Sequence, residues 1–196
     1  LLSDVVETGE HAFGATPDDA TPFGAVVGVV PTHSSAVQET YEELRRLHRG
    51  VVPMVDGDDE GQKKLVGLLK ATNAPKTVLT WRDGWEIEDA VMWILSADEA
   101  AVLPPLNERL NWSVSSVADL LAKFKTKDGP GRAKTDYLAY EEIASVIRDS
   151  AACRERARLV LNAVTRAALG SHEGCTGLVK DEEKSTAATT VVRIEP

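Results

Sequence analysis

The stretch VVPMVDGDDEG, residues 51–61, places Asp56, Asp58, Asp59 and Glu60 directly after an apolar run. Carboxylates this close raise one another's pKa and repel unless water disperses the charge or a cation stands between them. The apolar run reads as a buried strand that Asp56 closes, and Asp58 follows after Gly57, a residue that permits a tight turn. In an open parallel sheet, binding residues gather at the carboxyl ends of the strands. Glu7 closes the earlier run SDVVE with Glu10 just past it, and Glu86, Glu88 and Asp89 follow KTVLTW. Three strand ends are therefore expected to deliver acids to one edge of one sheet. Hard oxygen ligands in that number suit Mg²⁺ or Mn²⁺.

Other chemistries begin with similar residues. The run from Asp56 to Gly61 matches the start of a calcium-binding EF-hand loop. Its twelfth position, however, is Gly67 where a bidentate Glu is required, and a strand precedes it where a helix should be. A phosphatase with an aspartyl nucleophile also begins with D-x-D after a strand, but Glu60 stands where that motif carries Thr or Val. A sugar-nucleotide transferase uses D-x-D as well, and would want a base-binding pocket ahead of it that no residue pattern here identifies. A solvated turn accounts for DGDDEG alone and less well for acids at the other strand ends. Asp59 and Glu60 read as the start of the next helix, where acids favour the positive end of the dipole.

The elements that must position these acids follow from two hydrophobic periods. Residues 3–7, 24–30, 51–56 and 76–81 are short β-branched runs that read as buried strands. Between them, 34–48, 60–71 and 85–97 carry helical spacing, and strands alternating with helices imply a mostly parallel sheet. From about residue 98 the pattern is helical only. SVSSVADLLAKFK offers a Ser N-cap, GPGR at 129–132 is a loop, and 136–149 and 151–169 are long helices with Gly170 as the stop. The segment TTVVRI near the end reads as a strand returning to the sheet edge. The expected organisation is an α/β core over 1–97, a helical region over 98–170, and a tail over 171–196.

At 43% hydrophobic and 27% charged, the 196 residues suit a globular chain with a sizeable core. No apolar run approaches the roughly 20 residues that span a bilayer, and the start lacks the basic flank and apolar stretch of a signal peptide. Cys153 and Cys175 have no metal-ligand spacing and read as reduced thiols, which points to the cytoplasm. A net charge of −9 argues against a general polyanion-binding surface, although a metal-binding acid cluster inflates that count. The basic residues are bunched, with Lys123, Lys125, Lys127, Arg132 and Lys134 in one stretch. His11 and His33 pair with no nucleophile, and the four Trp residues read as packing.

Taken together, Glu7 and Asp56-Gly57-Asp58, 49 residues apart with one strand and one helix between them, resemble the Toprim domain. That domain is the metal-binding nucleic-acid module of topoisomerases, primases and certain nucleases. VVETGEHAF resembles its Glu-Gly-x-x-Glu opening, with Gly9 displaced and Glu10 three residues after Glu7 rather than four. EIEDAVMWIL and GRAKTDYLAYEEIA resemble the third acidic motif and the late Lys motif of the OLD (overcoming lysogenization defect) endonucleases. The resemblance covers residues 1 to about 150. It implies a Toprim-like α/β fold and a two-metal DNA endonuclease. Its metal ligands would be Glu7, Glu10, Asp56, Asp58, Glu86 and Glu88, and Lys134 would be its phosphate-neutralising cation. Lys123, Lys125, Lys127, Arg132 and Arg82 would line the DNA path. OLD proteins join this nuclease to an N-terminal ABC-type ATPase, which would supply ATP binding and oligomer contacts. The missing initiator Met and the lack of a G-x-x-x-x-G-K-[ST] loop are read as a nuclease half cut from a longer chain. A different D-x-D enzyme and a Toprim-like module that binds without cutting stay as alternatives.

Overall fold

The computed structural model of the chain describes residues 27–32, 36–48, 50–126, 136–170 and 173–196. It is a mixed α/β structure with a four-stranded, mostly parallel sheet and seven helices among those residues. The described residues divide into two compact units, one formed within 27–86 and 162–196, the other within 87–161. The first unit holds the sheet and the second is helical where described.

In the α/β unit, helix α1 (Val37–Leu47) precedes strand β1 (Met54–Val55), helix α2 (Asp59–Lys70) and strand β2 (Thr77–Trp81). Strands β3 (Leu178–Lys180) and β4 (Thr190–Ile194) complete the sheet in the order β1-β2-β4-β3. β1 and β4 both run parallel to β2, in registers Met54↔Leu79 and Thr77↔Thr190, and β3 runs antiparallel to β4. Strand β2 is buried along almost its whole length, as expected of an inner parallel strand covered on both faces. Its Val78 belongs to one buried cluster with Val55 and Val191 of the neighbouring strands and Val37, Tyr41, Leu65 and Leu68 of α1 and α2.

Three strand expectations change. Residues 27–30, within the run read as a strand, form none. Val29 and Val30 are 70% and 54% exposed, so their β-branched side chains lack the pleated, half-buried surface that makes such residues favour strands. The strand read over 51–56 contracts to Met54–Val55 at the sheet edge. Pro53 has no N–H to donate, although its carbonyl still accepts from Leu79 at 2.9 Å. The returning strand occupies an inner position, because β3, too short to stand out in the sequence, pairs along its outer side.

The helical unit contains α3 (Ile87–Leu95), α4 (Glu99–Leu110), α5 (Val117–Lys125), α6 (Tyr137–Asp149) and the first part of α7 (Ala151–Ala168). Ser116 caps α5 by accepting from the Asp119 N–H at 3.0 Å, as its position ahead of the apolar repeat predicts. Helix α4 carries Pro104 and Pro105 in its interior. The bonds they cannot make free the carbonyls of Ala100 and Ala101, which lie on exposed residues where water can satisfy them. Phe124 is the aromatic centre of this unit, meeting Tyr140 edge-on at 5.5 Å and Trp112 at 6.3 Å. Arg156 stacks on Trp93 at 4.7 Å and donates to the Trp93 carbonyl and to Ser96 Oγ, supplying the positive charge that the last turn of α3 lacks.

No helix among the described residues is long and apolar enough to cross a membrane. Cys153 is fully buried with its Sγ 3.8 Å from the Leu95 carbonyl, and burial pushes its thiol above the ordinary range. Since the thiolate is the reactive form, Cys153 resists alkylation in the native protein. Half-buried Cys175 is expected to react with a thiol reagent at pH 8, while Cys153 reacts only once denaturant is added. Counting modified thiols by mass, before and after unfolding, checks this.

Candidate functional site

The D-x-D segment is held by its backbone. The Gly57 N–H donates to the Trp85 carbonyl at 2.7 Å, and the Gly57 carbonyl accepts from Gly84 N–H at 2.8 Å. This reciprocal pair ties the carboxyl end of β1 to the turn after β2, and the Arg82 N–H, donating to the Ile194 carbonyl at 3.1 Å, ties that turn to β4. The backbones approach so closely that a β-carbon at position 57 would overlap the Arg82 carbonyl oxygen. Gly61 is equally constrained, because its β-carbon would overlap the carbonyl of Asp56. Both glycines of DGDDEG are therefore fixed by close backbone approach.

Asp58 is the N-cap of α2, with extended backbone and its Oδ1 accepting from the Gly61 N–H at 2.7 Å. Asp59 and Glu60 fill the first turn and Lys70 the last, which matches the helix dipole. Thr80, fully buried in β2, directs its hydroxyl at the carbonyls of Trp81, 3.0 Å away, and Asp56, 3.3 Å away. An open cavity of about 450 Å³ lies beside these residues, lined by Gly57, Asp58, Asp59, Gln62, Asp83 and Gly84.

Asp83, which the strand-end pattern of acids does not single out, also lines this cavity. Its carboxylate meets Lys184 Nζ at 2.8 Å and the Arg193 guanidinium at 3.4 Å. Behind it, the buried carboxylate of Asp181 lies 3.6 Å from Lys184 and 3.5 Å from Arg193, and Glu195 meets Arg193 Nε at 2.9 Å. The Lys184 hydrogen bond, with the charge of both cations, holds the Asp83 carboxyl below its ordinary value. The one local signal for Asp83 was the Asp-Gly turn pair just past a strand. Lys184 had none, being 101 residues away in sequence.

The other predicted residues fall in several places. Asp56 and Asp58 stand together at the end of β1, and half-buried Glu86 belongs to the same unit. Arg82 stacks on Trp85 at 4.9 Å. Glu88 lies in the helical unit, 3% exposed, beside a narrow cavity of about 20 Å³ lined by Ile87, Val91, Met92, Phe124 and Tyr140. Lys123 sits over the Trp112 ring at 4.8 Å, and Lys125 grips both carboxylate oxygens of Asp89 at 2.8 and 2.9 Å. Glu7, Glu10, Lys127, Arg132 and Lys134 lie outside the described residues. Among the described residues, no group of three or more His, Cys, Asp or Glu side chains is placed to hold a metal ion.

Comparison with protein-family models, with curated proteins and with solved structures returned no match to this chain.

Two outcomes follow from this geometry. Gly57→Ala should cost about 3 kcal/mol or more, because backbone must move to admit the methyl group. Gly67→Ala, in the interior of α2 with only the flexible tip of Gln38 3.3 Å away, should instead stabilise by about 0.5–1 kcal/mol. Urea unfolding midpoints separate the two. The second concerns acid. A carboxyl whose folded pKa is depressed stabilises the fold above its unfolded value, and that contribution disappears as pH falls through the folded value. Asp83 is 64% exposed, so Asp83→Asn should cost only a few tenths of a kcal/mol at pH 7. The gap should close below about pH 4, as read from unfolding curves taken across that range.

Proposed function

We propose that this chain is a divalent-metal-dependent endonuclease domain that cleaves DNA phosphodiester bonds. Its type is the Toprim-like nuclease that follows an ATPase in OLD-family proteins. The observation that carries this reading is the Asp56-Gly57-Asp58 segment at the carboxyl end of a parallel strand, beside an open cavity whose lining includes Asp58, Asp59 and Asp83. The chemistry of this donor set, carboxylate throughout, suits Mg²⁺ or Mn²⁺ rather than a softer metal.

When bound, a pair of such ions supplies an activated water and stabilises charge on the scissile phosphate and the leaving 3′ oxygen. Asp56 and Asp58 would hold metal at the end of β1. The bond from Gly61 to one oxygen of Asp58 fixes the direction of that carboxylate before any ion arrives. The metal-holding roles of Glu7, Glu10, Glu86 and Glu88 rest on the family resemblance. So does the role of Lys134 as the cation opposite the phosphate, and the ATPase as a source of ATP binding and oligomer contacts. Within the proposed DNA path of Lys123, Lys125, Lys127, Arg132 and Arg82, Lys125 already spends its donors on both oxygens of Asp89, at 2.9 and 2.8 Å.

The test uses the cap. Asn caps a helix about as well as Asp, so Asp58→Asn keeps the Gly61 bond and removes only the charge. Asp58→Ala removes both and should also lose about 1 kcal/mol of stability. Wild-type protein should nick and linearise plasmid DNA with Mg²⁺ or Mn²⁺ and stop in excess chelator. Asp58→Asn should leave the melting temperature unchanged and abolish cutting, whereas Lys134→Ala should retain Mn²⁺ binding by calorimetry and lose turnover. Cutting at the wild-type rate in excess chelator, or by Asp58→Asn, overturns the reading.

A further inference from the structure

We propose that Lys184 contacts the substrate phosphate at this cavity, and that Asp83 is the positioning residue that holds it there. The proposal rests on the nuclease reading and deepens it by naming residues of the same site. It starts from a difficulty in that site. A cavity walled by Asp58, Asp59 and Asp83 repels a DNA backbone wherever bound ions do not offset it, so a lysine at its rim would ease the approach of the phosphates flanking the scissile one. Lys184 Nζ lies 2.8 Å from the carboxylate of Asp83, which puts an ammonium one hydrogen bond from the cavity wall.

The donor arithmetic allows a further partner. An ammonium carries three N–H donors. Asp83 takes one at 2.8 Å, and Asp181, at 3.6 Å, is beyond ordinary hydrogen-bond length. The Lys184 side chain is 29% exposed, so water or a ligand oxygen can reach it. Arg193, whose guanidinium is shared among Asp83, Asp181 and Glu195, braces the Asp83 carboxylate from a second direction. Asp83 stays ionised at neutral pH because these cations hold its carboxyl low. The long side chain of a lysine in the turn after β3 would otherwise sample many rotamers. The Asp83 bond removes most of that freedom in advance, and pre-placed charge is what stabilises a developing phosphate transition state. Lys184 is reached across 101 residues of sequence, which is why no local motif points to it.

The experiment measures the salt dependence of affinity for a labelled 20-base-pair duplex, with Ca²⁺ present in place of Mg²⁺, alongside plasmid cleavage with Mg²⁺. Each lysine–phosphate contact adds about 0.9 to the slope of log affinity against log salt. Lys184→Ala should lower that slope by about 0.9 and reduce cleavage about a hundredfold. Lys184→Arg should restore the slope. In a double-mutant cycle, Asp83→Asn should cost little further in the Lys184→Ala background, since a positioning residue has nothing left to position. Melting temperatures of all four proteins separate these effects from damage to the fold, which would not be rescued in slope by Arg. An unchanged slope in Lys184→Ala, or fully additive losses in the cycle, overturns the proposal. Wild type that binds the duplex but does not cut overturns the nuclease reading and leaves the slope to judge the contact. Wild type with no affinity overturns both.

Discussion

The clasp between position 57 and the turn at 84–85 is the constraint on which the α/β unit's cavity depends. Two backbone hydrogen bonds at 2.7 and 2.8 Å hold the ends of two adjacent parallel strands together beyond the last residues of their ladder. Strand β1 contributes only two residues to that ladder, so without the clasp its end would be a frayed edge. The clasp works because residue 57 has no side chain. With it closed, Asp58 is delivered to the start of α2 in the extended conformation of a cap, and Gly61 can pass close to the Asp56 carbonyl. One missing β-carbon thus orients an acid, starts a helix and shapes a cavity wall.

Much of this was legible because the signals were local. Helices α1, α2, α5 and α6 begin and end within a few residues of where apolar spacing and capping residues put them, and Gly170 ends α7 in the left-handed region. The acids of DGDDEG stand at a strand end as their context requires. What escaped was set by pairing at a distance or by a missing donor. Pro53 shortens β1, an effect that a hydrophobic run does not register. Val29 and Val30 have the composition of a strand but pair with no strand among the described residues. The inner placement of β4 depends on the three residues of β3, and the partners of Asp83 come from beyond residue 180.

The distribution of charge is less one-sided than the net value of −9 suggests. Several cations are already committed within their own units. Arg156 closes the end of α3, Lys125 offsets Asp89, Lys123 and Arg82 lie over indole rings, and Arg193 is divided among three carboxylates. Counting lysines and arginines along the chain overstates the positive surface open to a polyanion. The residues that matter for a phosphate are those with donors left over, and these depend on geometry rather than on composition.

The pairing of β2 with β4 also sets an order of events in folding. Thr77 and Thr190 are neighbours in the sheet, yet the chain between them includes the whole of residues 87–161. Joining strands across so long an interval carries a large loop-closure entropy, and such contacts form late. The helices of that interval make short-range contacts and can condense first, shortening the effective span that β4 has to close. Until β4 arrives, β2 presents an open edge rich in valine, leucine and tryptophan, the kind of surface that recruits other chains. A chain in which Trp81 has been made and Ile194 has not leaves that edge without its native neighbour.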